Sequence, residues 1–118
     1  MSINENSTME EALAYVNLVR PFGTGLQSVP EKFKTEPQFV ELYPKVVKEY
    51  GDALRYVPEN LRTAELCLEA VMQDGWAIQF VPVKYRTAEI CIEAVKMEAN
   101  ALEEVPENLI VKVKAALD

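Results

Sequence analysis

The stretch Arg62-Thr63-Ala64-Glu65-Leu66-Cys67-Leu68-Glu69-Ala70-Val71 returns almost unchanged as Arg86-Thr87-Ala88-Glu89-Ile90-Cys91-Ile92-Glu93-Ala94-Val95. The displacement is 24 residues, a period in the range of stacked repeat proteins. Outward from this pair, Val-Pro occurs at Val29-Pro30, Val57-Pro58, Val81-Pro82 and Val105-Pro106, spaced 28, 24 and 24. Other slots keep step with the dipeptide. Six residues after each Val stand Thr35, Thr63, Thr87 and Val111. Three before it stand Leu26, Leu54, Ile78 and Leu102; six before it, Gly23, Gly51, Gly75 and Ala99. Ten before it is always Val, and fourteen before it come Tyr15, Tyr43, Cys67 and Cys91.

The physical chemistry of one unit follows from these slots. Thr63 and Thr87 have the hydroxyl that caps a helix N-terminus, and Glu65 and Glu89 then lie near the positive end of the helix dipole. Leu66, Cys67, Ala70 and Val71 recur at helical spacing and form an inward stripe. Gly51 and Gly75 are expected to close this helix through a left-handed residue, with Ala99 departing from that slot. A shorter helical turn carries Ala77, Ile78 and Val81, and Pro82 stops it. The 28-residue spacing adds four residues, about one helical turn, and Pro44 is expected to kink or split the helix there. Thr8 and Glu11 have capping-box spacing, which predicts an N-terminal helix from about Thr8 to Arg20.

The unit A-L-x-x-V-P-x-x-L-R-T-x-E-x-C-x-E-A-V-x-x-x-G-x-A-L resembles bacterial repeats of the domain-of-unknown-function 4116 type. The matching stretch runs from Asp52 to about Asn108, with a degenerate copy upstream from Phe22. The resemblance implies a right-handed stack of helices, similar in outline to leucine-rich-repeat-variant or HEAT-like arrays. It implies no catalytic residue and no cofactor. The expected fold is therefore all-α: a short α-solenoid-like stack of helix hairpins, about three repeats plus capping helices. One domain, 1–118, would hold an N-terminal helix at about 8–20, repeats at about 22–107 and a C-terminal capping helix at about 108–117.

Composition narrows the function classes. The 118 residues carry 12 Lys+Arg against 19 Asp+Glu, a net charge of −7, so a basic face for nucleic acid or anionic membrane is not expected. Histidine is absent, which removes the commonest general base and metal ligand. No phosphate-binding glycine loop or nucleophile elbow occurs. Carboxylate-only catalysis would need a deep pocket with two facing Glu residues. Neither a membrane span nor a secretory leader is legible, and the expected compartment is the cytoplasm. Cys67 and Cys91 occupy one slot of successive units, on helices about 8–10 Å apart, wider than the roughly 4.4–6.8 Å a disulfide prefers. They read as reduced core residues.

In a repeat array core slots recur and binding slots vary. The slot five residues before Val holds Thr24, Asp52, Trp76 and Asn100, so Trp76 is the outlier. Phe80, four residues on, would share its face in an α-helix, and Tyr56 shares the slot of Phe80. The three aromatics read either as partner anchors or as rings packed on the neighbouring unit. Glu89, Glu93, Glu98, Glu103, Glu104 and Glu107 read as an acidic stripe facing a basic partner, or as a solvated face. Arg62 and Arg86, with Lys34 in the equivalent slot, read as an edge ladder or as pairs with Glu65, Glu89 or a neighbouring carboxylate. Tyr85, in the slot of Leu61 and Leu109, reads as core. The last helix is apolar for a cap and offers a surface for homodimer formation. The expected function is non-enzymatic protein–protein recognition, anchored by Trp76, Phe80 and Tyr56 with Glu98, Glu103 and Glu104 contributing. The alternative is a small acidic inhibitor or immunity protein that blocks a basic nuclease surface. No catalytic, cofactor or metal role is assigned to any residue.

Overall fold

A computed structural model of the chain describes residues 3–19 and 29–117, and every regular element among them is helical. Helix α1 spans Met9–Val19. Its start is the expected reciprocal cap: Thr8 N–H donates to Glu11 Oε1 at 2.8 Å, and Glu11 N–H donates to Thr8 Oγ1 at 3.2 Å. The short-helix slots of the first copy, Gly23 to Ser28, and the predicted end of α1 at Arg20 lie outside the described residues.

The four-residue insertion splits one helix into α2 (Pro37–Val40) and α3 (Tyr43–Glu49). Each has its proline in the first turn, where the missing N–H is not needed. Tyr43 is buried and its hydroxyl donates to the Lys34 carbonyl at 2.6 Å, which ties the preceding loop to α3. The repeats proper follow as α4 (Ala64–Gln73) and α5 (Ala88–Met97). Thr63 Oγ1 accepts from Leu66 N–H at 3.2 Å and Thr87 Oγ1 from Ile90 N–H at 3.4 Å, so both are the caps their slot predicts. Leu66, Cys67, Ala70 and Val71 are buried in one core with Ile90, Cys91 and Ala94. Both cysteines are unpaired and buried, as expected.

Three six-residue segments, Gly51–Tyr56, Gly75–Phe80 and Ala99–Glu104, are 3₁₀ helices rather than the short α-turns the hairpin picture implies. Each ends at a Val in extended conformation before the proline, with a further three-residue 3₁₀ turn after it. The architecture is thus two layers. Helices α3, α4, α5 and α6 (Ile110–Leu117) are successive neighbours in one; the 3₁₀ helices are neighbours in the other. Each 3₁₀ helix packs on the α-helix that precedes it, and the first two also pack on the next one. The stack measures 51 × 23 × 19 Å, the elongated form of a short solenoid.

The glycines do something other than expected. Neither Gly51 nor Gly75 occupies the left-handed region. A Cβ on Gly51 would overlap the Ala70 carbonyl oxygen of the next unit's helix, and one on Gly75 would stand 2.6 Å from the Ala94 carbonyl oxygen. Glycine is therefore set by the close approach of successive units, and Ala99 in the same slot is exposed. The last unit departs in another way. Ile110 and Val111 replace the Arg-Thr pair, and Ile110 is helical (φ −57°, ψ −46°) where Arg62 and Arg86 have ψ 83° and 66°. The 3₁₀ turn Glu107–Leu109 consequently runs straight into α6, which leaves Val111 81% exposed.

Candidate functional site

A 3₁₀ helix has three residues per turn, so residues three apart eclipse one another. Burial follows that period. Gly51, Leu54 and Val57 are buried, as are Gly75, Ile78 and Val81. Ala53 and Ala77 are buried beneath the half-buried Tyr56 and Phe80. The remaining row faces outward: Asp52 and Arg55, Trp76 and Gln79, Asn100 and Glu103. Trp76 is half-buried within this otherwise exposed row.

This geometry separates the predicted aromatic pair. In a 3₁₀ helix positions i and i+4 stand about 120° apart, so Trp76 and Phe80 lie on different faces. Phe80 and Tyr56 pack against the core, and the Arg55 guanidinium lies 5.4 Å from the centroid of each ring. Trp76 is not among the residues packed on that core, and its backbone N–H donates to Asp74 Oδ1 at 3.0 Å. All three proposed anchors are half-buried, and Trp76 alone stands in the row whose other occupants are exposed.

The acidic stripe is likewise divided between layers. Glu89 and Glu93 lie on α5, with Glu93 Oε1 3.7 Å from Lys96 Nζ. The Glu98 carboxylate caps the following 3₁₀ helix, accepting from Asn100 N–H at 3.3 Å, just as Asp74 does one unit earlier. Glu104 is half-buried and lies 3.3 Å from Arg86 Nη1. Glu103 is exposed, beside Asn100 in the outward row.

Arg62 and Arg86 form no edge ladder and neither pairs with Glu65 or Glu89, but Arg86 meets the expectation of a neighbouring carboxylate, its Nη1 lying 3.3 Å from Glu104 Oε2. Arg62 donates from Nε to Val57 O at 2.9 Å, from Nη2 to Arg55 O at 3.1 Å and from Nη1 to Phe80 O at 2.9 Å. Arg86 repeats the pattern one unit on, with Val81 O at 2.9 Å, Gln79 O at 3.3 Å and Glu104 O at 3.0 Å. The rigid guanidinium fork thus satisfies carbonyls at the ends of two successive 3₁₀ helices. Lys34, in the equivalent slot, pairs instead with Glu31 at 2.7 Å. Tyr85 packs partly buried on the core, as expected.

Two surface features escaped the slot comparison. Val83 is 70% exposed where the other copies hold Glu31, Glu59 and Glu107; that contrast was legible in the repeat. Met72 and Met97 are about half exposed on the α-layer, at positions that do not recur. The clefts also open on that layer. One, of about 290 Å³, is lined by Glu65, Leu68, Glu69, Met72 and Gln73; another of about 230 Å³ lies between α4 and α5. Among the described residues no group of three or more Cys, Asp or Glu is placed to hold a metal ion, and no helix is long and apolar enough to cross a membrane.

No curated protein and no solved structure matches the chain. Residues 45–86 and 63–110 match the model of a family described as a domain of unknown function, DUF4116.

Proposed function

The chain belongs to the DUF4116 family, and from that repeat architecture we propose that it is a non-enzymatic scaffold for protein–protein recognition. One observation carries the proposal. Trp76 occupies an outward row of the 3₁₀ layer whose occupants vary between units, while the slots beneath it repeat. Selection for stacking alone has no use for a large aromatic where the neighbouring units hold Asp52 and Asn100, whereas a partner interface does. Arg55, Gln79 and Glu103 hold exposed positions of the same row and bring polar groups of both signs, the composition of an interface rim. Tyr56 and Phe80 support this row from beneath rather than contacting the partner. Glu98 and Glu104 serve the scaffold, and Glu103 faces the partner.

The test is affinity capture with the full chain and with Trp76→Ala, folding being checked by circular dichroism. The expected result is a partner recovered by the parent chain and lost, by ten-fold or more, with the variant. Equal recovery by both would remove Trp76 from the function. A narrower form of the proposal is the acidic inhibitor that covers a basic nuclease surface, favoured by the net charge of −7. In that case the captured partner is basic and is released as salt rises.

A further inference from the structure

The inward stripe of α4 is committed to the core, yet its other face also has a defined composition. Glu65, Leu68, Glu69 and Met72 line a cleft of about 290 Å³ with Gln73. Glu65 and Leu68 also border the adjoining cleft of about 230 Å³, which continues to Thr87, Glu89 and Ile90 on the α5 side. The pattern repeats one unit on, where Glu89, Ile92 and Glu93 take the slots of Glu65, Leu68 and Glu69. The result is an apolar furrow lined by the carboxylates Glu65, Glu69 and Glu89, with Glu93 about one turn further along α5. Lys96 is the one cation on these two helices, and it is already 3.7 Å from Glu93. Arg62 and Arg86, at the helix entrances, are turned back onto carbonyls. The acidic field is also bounded. Helix α3 presents exposed Lys45 and Lys48 in the slots of Glu69 and Met72, and α6 presents exposed Lys112 and Lys114.

We propose that the furrow formed by the outward faces of α4 and α5 docks a basic amphipathic helix of a partner protein. The occupant follows from charge and shape. Leu68 and the half-exposed Met72 offer apolar contact over the buried Ile90, and methionine adapts to differently shaped side chains. The flanking carboxylates select lysine and arginine beside those apolar anchors and repel an acidic segment. Ten residues of α4 span about 15 Å, enough to meet roughly three turns of a docked helix. This surface lies on the α-layer, apart from the Trp76 row, so either can fail while the other stands.

The probe is a labelled synthetic helix of about 18 residues with leucines at i, i+4, i+7 and i+11 and lysines on its flanks; a second peptide carries glutamates in place of the lysines. Fluorescence polarisation with the full chain should show the lysine peptide binding at least ten-fold tighter. Amide shifts should concentrate on α4 and α5. Glu65→Gln with Glu69→Gln should weaken binding about ten-fold, while the charge-altering control Glu41→Gln with Glu59→Gln should leave it within two-fold. Equal affinity for the two peptides would overturn the proposal. So would shifts centred on another face, or equal weakening by the control pair, which would reduce the effect to net charge.

Discussion

Gly51 and Gly75 share a slot with Ala99, and what lies against each decides which residue it tolerates. At Gly75 a methyl group would sit 2.6 Å from the Ala94 carbonyl oxygen, and at Gly51 it would be closer still to that of Ala70. Both obstacles are helix backbone, which cannot swing aside as a side chain can. Relief requires moving α4 or α5 away from the preceding 3₁₀ helix, at the expense of packing throughout the interface. Gly51→Ala and Gly75→Ala are each expected to cost about 3 kcal/mol, with Gly51→Ala the worse. Ala99→Gly should cost no more than about 1 kcal/mol, from backbone entropy alone. Urea unfolding of the three variants checks the order; a harmless Gly51→Ala would mean that the units do not approach as closely as described.

The 3₁₀ helices are the elements that join one unit to the next, and the arginines fasten them. Each guanidinium bonds two carbonyls of its own unit and one that lies eighteen residues ahead. The charge makes these strong donors, and the planar fork fixes their directions. A lysine keeps the charge but cannot reach three carbonyls in divergent directions. Arg62→Lys and Arg86→Lys are therefore expected to destabilise by about 2 kcal/mol each. Hydrogen exchange should rise first in the 3₁₀ segments that lose a carbonyl partner, Gly51–Tyr56 and Gly75–Phe80 for Arg62→Lys. Rescue of both stability and exchange by lysine would show that charge, rather than the fork, is what matters.

At the scale of the whole stack, each unit's apolar stripe is covered by its neighbours, so stability approximates a sum of unit and interface contributions. Three buried acids couple that sum to alkaline pH. Burial pushes the Tyr43 hydroxyl from the ordinary 10 up to about 12, with Glu31 adding to the shift. Burial likewise raises the Cys67 thiol from 9 to about 11, against the opposing pull of Arg62, and raises Cys91, opposed by Arg86. Each group's folded pKa exceeds its unfolded value, so between the two the folded chain holds more protons. The associated stability is complete below pH 9 and is lost as pH climbs through about 11 and then 12. Thermal or urea midpoints should fall across that window, and Tyr43→Phe should flatten the upper part of the fall. In the native chain at neutral pH, thiol reagents should label neither cysteine at an appreciable rate.

The 24-residue spacing was enough to locate α4 and α5, their threonine caps and the buried cysteine slot, and the four extra residues with Pro44 marked the helix that breaks, just before Tyr43. Those features rest on short-range physics: a hydroxyl three residues from an orphan N–H, a proline that lacks one, and a stripe at helical period. Six-residue segments were less legible. Apolar residues at Gly51, Ala53, Leu54 and Val57 satisfy a period of 3.0 as well as one of 3.6, because two turns are too few for the periods to part. The paired face assigned to Trp76 and Phe80 failed for that reason. The glycine requirement and the arginine bonds were also out of reach, since each is defined by a carbonyl belonging to the following unit. Which atoms meet across successive units depends on how closely the layers stack, and that distance is written in no single repeat; it emerges only when neighbouring units bury each other's apolar faces.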